Sequence, residues 1–431
     1  MKKTTLFLFA ICSAAMSYSA DKWFGDDRNS QITDPTNWYL DEERTIQADS
    51  APTSGGQDTA IMYSEKTDWR GVYLSQTDTY LYNVVITGNH HMNFGDDGFD
   101  KGKVYIDITG ELSSPIIGVF SSPEIGASFG KDGEVAVEMH VGEINVGTEI
   151  YRNKTFSYYG GMEFKIGTPD NRITDWNLLV DRDIRIGGGL YEYAGCVLNL
   201  YVDKLSVNGV LRFDRNGSSY SNMFFSRSAT FEVGGIDATN IASNFTLHNS
   251  QGSSLNSTIV LKNAAGSDYQ FIGVIADDGN NRPNISEVKA VMNVTMDGEG
   301  VQRIFNAKDD ATDILGRQSG TYTVKNGRLI MDNSRIAADY RQAKLSMEGG
   351  KFGAGHYDSS QTGTAYFKTA NFKSGGFAYE NFVNHNVFDY NPSDKVIITD
   401  TFTKEAGSGK ISIDFSDANG NALNLADYDY I

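Results

Sequence analysis

Nine times along this chain a short run of alternating apolar and polar residues ends in a glycine, and an apolar residue follows two or three positions later. The glycines are Gly88, Gly110, Gly142, Gly167, Gly187, Gly209, Gly234, Gly327 and Gly349. Ile106-Asp-Ile108-Thr-Gly110-Glu-Leu112 and Leu205-Ser-Val207-Asn-Gly209-Val-Leu211 show the pattern clearly. Successive gaps are 22, 32, 25, 20, 22 and 25 residues, then a break, then 22. A unit that recurs near this length, with insertions, predicts a stack of β-coils, each burying its apolar face against its neighbours. The predicted fold is therefore all-β, a right-handed parallel β-helix. Val135, Val137, Met139 and Val141 alternate with Ala136, Glu138 and His140, which puts one strand face inward and the other into water. Each glycine is expected to turn the chain through positive φ, a region closed to most side chains.

The pattern divides the chain. Residues 1–20 read as a cleaved secretory signal: Lys2 and Lys3 precede an apolar run from Leu6 to Met16, and small residues follow at Ser17, Ser19 and Ala20. That run is too short to span a bilayer as a helix. Residues 21–80 are irregular, aromatic and acidic, and are expected to cap an otherwise exposed edge coil. Coils are expected over 81–262. In 263–316 the glycine rhythm stops, which predicts an insertion or irregular coils, with Val301, Ile304, Phe305, Ala311 and Ile314 at spacings a short helix would also use. Coils return over 317–431, where Ile431 is either a point of truncation or the end of a chain exported by another route.

Charge removes several function classes. Without Lys2 and Lys3 the chain has 35 basic and 55 acidic residues, a net charge of −20. Such a field repels phosphate backbones and anionic lipid surfaces, so nucleic acid is not an expected partner. Past residue 20, Cys196 is the one cysteine, so no internal disulfide can form, and it reads as a small buried hydrophobe.

No residue pattern spells out a reaction. Asp181, Asp183 and Arg185 are spaced to share one strand face, and paired carboxylates can act as acid and base on a sugar held between them. An exposed, salt-linked strand produces the same string. Asp96, Asp97 and Asp100 offer oxygen ligands of the kind calcium takes, as do Asp277-Asp278-Gly-Asn-Asn281 and Asp417-Ala-Asn419-Gly-Asn421. None completes a calcium loop, so solvated turns are the preferred reading and no cofactor is expected. His90 and His91 read as polar residues in a turn after Gly88 rather than metal ligands. Tyr73, Tyr80, Tyr82, Phe156, Tyr158, Tyr159, Tyr191 and Tyr193 would stack on sugars if exposed and stabilise the coils if buried.

Three segments resemble autotransporter-type passenger proteins, exported β-helical surface proteins of bacteria. They are Trp23-Phe-Gly25 with Asp34-Pro-Thr-Asn37-Trp38; Gly320-Thr-Tyr-Thr-Val-Lys-Asn-Gly327-Arg-Leu, similar to the autotransporter-associated strand repeat; and Asp394-Lys-Val-Ile-Ile with Gly409-Lys-Ile-Ser-Ile-Asp-Phe415. The resemblance implies a non-enzymatic passenger or adhesin, displayed at the cell surface or outer membrane or released. It would be monomeric, binding glycans or host and matrix proteins, with no membrane span in the mature chain. The alternatives are a polysaccharide lyase or glycoside hydrolase on the same scaffold, with Asp181, Asp183 and Arg185 as its catalytic residues, and a structural envelope spacer.

Overall fold

The computed structural model describes residues 20–25, 30–53, 57–62, 70–74, 78–86, 90–94, 101–116, 122–127, 134–150, 162–167, 173–187, 196–213, 220–225, 227, 229–238, 244–249, 255–278, 290–306, 317–336, 341–358, 361–379 and 394–415. These residues form 32 strands, 23 in one sheet and nine in another, and almost every pairing is parallel. The exception among them is Asp21–Phe24, which pairs antiparallel with Trp38–Tyr39 and parallel with Thr59–Met62. Among the described residues no helix is long and apolar enough to cross a membrane.

The larger sheet runs in two columns, joined where long strands such as Lys101–Ile116 and Glu134–Ile150 contribute to both. The smaller sheet is a third column, which the chain visits in turn with the other two as far as Val274–Asp278; the described strands after it belong to the larger sheet. Parallel pairing at each return is compatible with a β-solenoid. In the first column Ile106, Met139, Leu178, Leu205, Phe231, Ile259, Val294, Tyr322, Leu345 and Ala370 lie in register on successive strands, and all are buried. Ile144, Ile184, Leu211 and Ile236 line the second column, and Phe164, Leu198, Met223 and Leu247 the third. All belong to one continuous apolar cluster. Alternation produces this directly, because residues two apart point to the same side of a strand.

Several of the glycines have a different role from the one their spacing suggests. Gly110, Gly142, Gly209 and Gly234 stand between the first and second columns, and none has positive φ. A methyl group on Gly142 would run into the carbonyl oxygens of Gly110 and Thr109, and one on Gly234 into the carbonyl of Gly209. Backbone crowding between successive turns excludes a side chain there. Gly327 does have positive φ and turns the chain between Thr321–Val324 and Arg328–Asp332, as expected; Gly167 and Gly187 have it too, but at the ends of strands of the third and second columns. The glycine gaps therefore mix different corners between Gly142 and Gly209, where the true return is longer: Met139 pairs with Leu178, and Leu178 with Leu205. Gly142→Ala is expected to lower unfolding free energy by about 1–3 kcal/mol through overpacking. Gly409→Ala, with nothing within 4 Å, should stay within about 0.5 kcal/mol of wild type. Denaturant titration of both variants decides this, and equal losses would contradict the crowding argument.

Two sequence expectations change within 263–316. Val301–Phe305 is a strand, not a helical turn; it pairs in register with Asp268–Ile272 and Arg328–Asp332, and its Gln302, Ile304 and Phe305 are buried. Val291–Met296 likewise joins Asn256–Leu261 to Thr321–Val324. Parallel stacking thus continues where the glycine rhythm lapses. Ala311 and Ile314 lie outside the described residues, as does Gly88.

Candidate functional site

Outward residues of the second column form the main charged array. Asn145, Arg185, Arg212 and Asp237 occupy matching positions on four successive strands. Asp183 immediately precedes the strand Ile184–Ile186, and its carboxylate accepts from Arg212 Nε at 2.7 Å, Arg185 Nη2 at 3.3 Å and the Val210 amide at 2.8 Å. Glu143 faces Arg182 at 3.1 Å and Arg185 at 3.3 Å, while Arg212 also reaches Asp237 at 2.6 Å. Three guanidiniums and three carboxylates are interleaved here, each charge held by an opposite one on a neighbouring turn.

Asp183 and Arg185 therefore meet as the spacing predicts, but Asp181 does not join them. Its carboxylate faces His140 Nε2 at 2.9 Å, on the outward side of the first column. The other ring nitrogen of His140 lies 3.1 Å from Asp107 Oδ1, so one imidazole stands between two carboxylates.

The chemistry of Asp183 bears on catalysis. Burial alone would raise its carboxyl, but the Val210 amide and the Arg212 and Arg185 guanidiniums outweigh that and hold it below the usual range. A group kept ionised in this way does not deliver a proton to a leaving sugar oxygen. Its stabilising contribution is present above the unfolded carboxyl pKa and is lost as pH falls through the lower folded value. Asp183→Asn is expected to cost roughly 1–2 kcal/mol at neutral pH, read from denaturant unfolding, since it removes a charged acceptor from two arginines. No loss would mean that the array contributes nothing to stability.

Other sequence candidates fall in varied places. Asp96, Asp97 and Asp100 lie outside the described residues, as do Asp417, Asn419 and Asn421. Among the described residues no group of three or more histidines, cysteines, aspartates or glutamates is placed to hold a metal ion. His90 and His91 belong to the strand His90–Phe94 rather than a turn. Asp277 is not in a solvated turn but buried, its carboxylate accepting from Met292 N, Ser319 N and Ser319 Oγ. Cys196 is buried, with its Sγ 3.5 Å from the Val146 carbonyl. Tyr80 is exposed and Tyr82 partly buried; nothing is described of the side chains of Tyr73, Phe156, Tyr158, Tyr159, Tyr191 and Tyr193.

Fold and site together define an all-β protein of in-register parallel strands with a self-neutralised charged face. No protein-family model matches the sequence, and no curated protein or solved structure matches it.

Proposed function

We propose that the chain is an exported right-handed parallel β-helix, capped by residues 21–80, that acts as a non-enzymatic passenger or adhesin-like protein at the cell surface. The observation that carries this reading is the disposition of its strongest charged cluster. Asp183, Arg185, Glu143 and Arg212 neutralise one another across turns, and Asp183 is held ionised, so the cluster lacks the unpaired acid that a glycan-cleaving site requires. A long stack of parallel strands with polar outward faces suits display of a binding surface.

The test uses residues 21–431, incubated with neutral and acidic polysaccharides and with matrix proteins, with and without calcium. Saturable binding without new reducing ends or unsaturated products is the expected result. Robust turnover would replace the adhesin reading with the lyase or hydrolase one, and neither binding nor turnover would leave a spacer. Protease treatment of intact source cells should remove the chain, and protection would contradict surface display.

A further inference from the structure

We infer that the outward face of the first column, around Tyr80, Tyr105, Asp107, His140, Leu179 and Asp181, is where the protein takes an uncharged glycan laid along the stack. This rests on the binding-surface reading above and gives it a location. Tyr80, Asp107, His140 and Leu179 lie directly opposite one another on four successive strands. At about 4.8 Å between neighbouring strands the ladder is roughly 14 Å long, enough for a short oligosaccharide.

Large apolar side chains are uncommon on the described surface, yet this ladder carries one at each end. Tyr80 is 48% exposed and Leu179 40% exposed. The Tyr105 ring lies 5.8 Å from the Tyr80 ring at an interplanar angle of 54°, which widens the aromatic platform. Sugar rings present C–H faces that pack on such platforms while their hydroxyls seek polar partners at the edge. Such partners lie along the ladder and beside its Leu179 end. Asp107, His140 and Asp181 form a chain of close contacts at 3.1 Å and 2.9 Å, and the side chain of Asp181 is nearly half exposed. Asn177, on the same face, donates to Asp175.

Charge selects the class of ligand. Lys103 is engaged by Glu138 at 2.6 Å, and the one exposed lysine opposite Asn177 on the next strand, Lys204, is outnumbered on this face by Asp107, Asp175 and Asp181. The chain as a whole carries −18. A polyanionic glycan would meet repulsion here, whereas a neutral one needs only hydroxyl partners and a ring platform.

The experiment titrates residues 21–431 with cellohexaose, xylohexaose, mannohexaose and laminarihexaose, and with polygalacturonate as the anionic comparison, by calorimetry. At least one neutral hexasaccharide should bind, and Tyr80→Ala should weaken it about tenfold, while Tyr80→Phe stays within about twofold. Tyr80 is exposed, so an unchanged unfolding midpoint separates lost binding from lost folding. Leu179→Ala supplies a second variant and should weaken binding in the same direction. Full affinity in both alanine variants would overturn the location while leaving the adhesin reading in place. Binding of polygalacturonate alone would overturn the uncharged class. No binding to any sugar would overturn this inference, and only a parallel failure with matrix proteins would also remove the wider reading.

Discussion

Lys22→Met is expected to remove about 3–5 kcal/mol of stability, because it leaves the Asp58 carboxylate buried without its partner. Lys22 Nζ lies 2.7 Å from Asp58 Oδ2, with both side chains at or below 10% exposure. The same ammonium donates to Ser50 Oγ at 3.0 Å and to the Ala51 carbonyl at 3.3 Å. One cation therefore ties the strand Asp21–Phe24 to Ser50, Ala51 and Asp58, next to where Thr59–Met62 pairs with both Asp21–Phe24 and Asn83–Ile86. The loss should be local first, with faster amide hydrogen exchange in Thr59–Met62 before the regular stack opens. Desolvation opposes the pair as well, so Lys22→Met combined with Asp58→Leu should recover to within about 1 kcal/mol of wild type. A single-variant loss below about 1 kcal/mol, or a double variant no better than the single, would show that the pair is solvated.

Strand alternation was the legible part of this fold. Val137, Met139 and Val141 are buried while Ala136, Glu138 and His140 are not, because a period of two needs no knowledge of partners. Glycine positions were legible, but not in every case their cause. Gly142 is required by the carbonyls of Gly110 and Thr109 on the preceding turn, which no local window contains. Turn length was hidden for the same reason, since Gly167 and Gly187 sit at other corners and shorten the apparent repeat. At Val301–Phe305 the spacing of Val301, Ile304 and Phe305 suits a helix, yet Gln302 is buried. Its side chain accepts from the Ile236 amide at 3.0 Å and donates to the Ile236 carbonyl at 2.8 Å, standing in for a backbone partner.

The candidate site was half legible. Asp183 and Arg185 share a face as residues two apart must, but Arg212 and Glu143 reach them only through register between turns. Asp181 lies at a corner, so the two-residue rule does not govern it. Asp277 was misread because Asp-Asp-Gly-Asn-Asn has the composition of a turn. Its burial depends on Met292 and Ser319, which are 15 and 42 residues away. The Tyr80, Asp107, His140 and Leu179 ladder contains no motif at all, and exists only once four strands are aligned.

Asp277 and His248 should give the protein two buried titrations of opposite sign. The strand carrying His248 pairs with the strand carrying Asp277, His248 opposite Ala276. Burial pushes the Asp277 carboxyl up to about 6 from 3.8, with its amide and hydroxyl donors and Arg317 pulling back only in part. The folded state then holds a proton that the unfolded chain has released. Its contribution is fully present below about pH 3.8 and is lost as pH rises through 6, about 3 kcal/mol in all. Burial lowers His248 from 6.5 to about 4, against a smaller opposing effect of the Asn249 carbonyl 2.7 Å from its Nδ1. Here the unfolded chain binds the extra proton, so the contribution is present above pH 6.5 and is lost as pH falls toward 4, again about 3 kcal/mol. Between pH 4 and 6 the two nearly offset each other in the wild type. Removing either group exposes the other: unfolding free energy of Asp277→Asn, relative to wild type, should rise by about 3 kcal/mol from pH 4 to 6.5. That of His248→Leu should fall by a similar amount over the same window. Denaturant titrations at half-unit pH steps measure both slopes, and a variant whose profile runs parallel to wild type would show that its group titrates alike in the folded and unfolded chains.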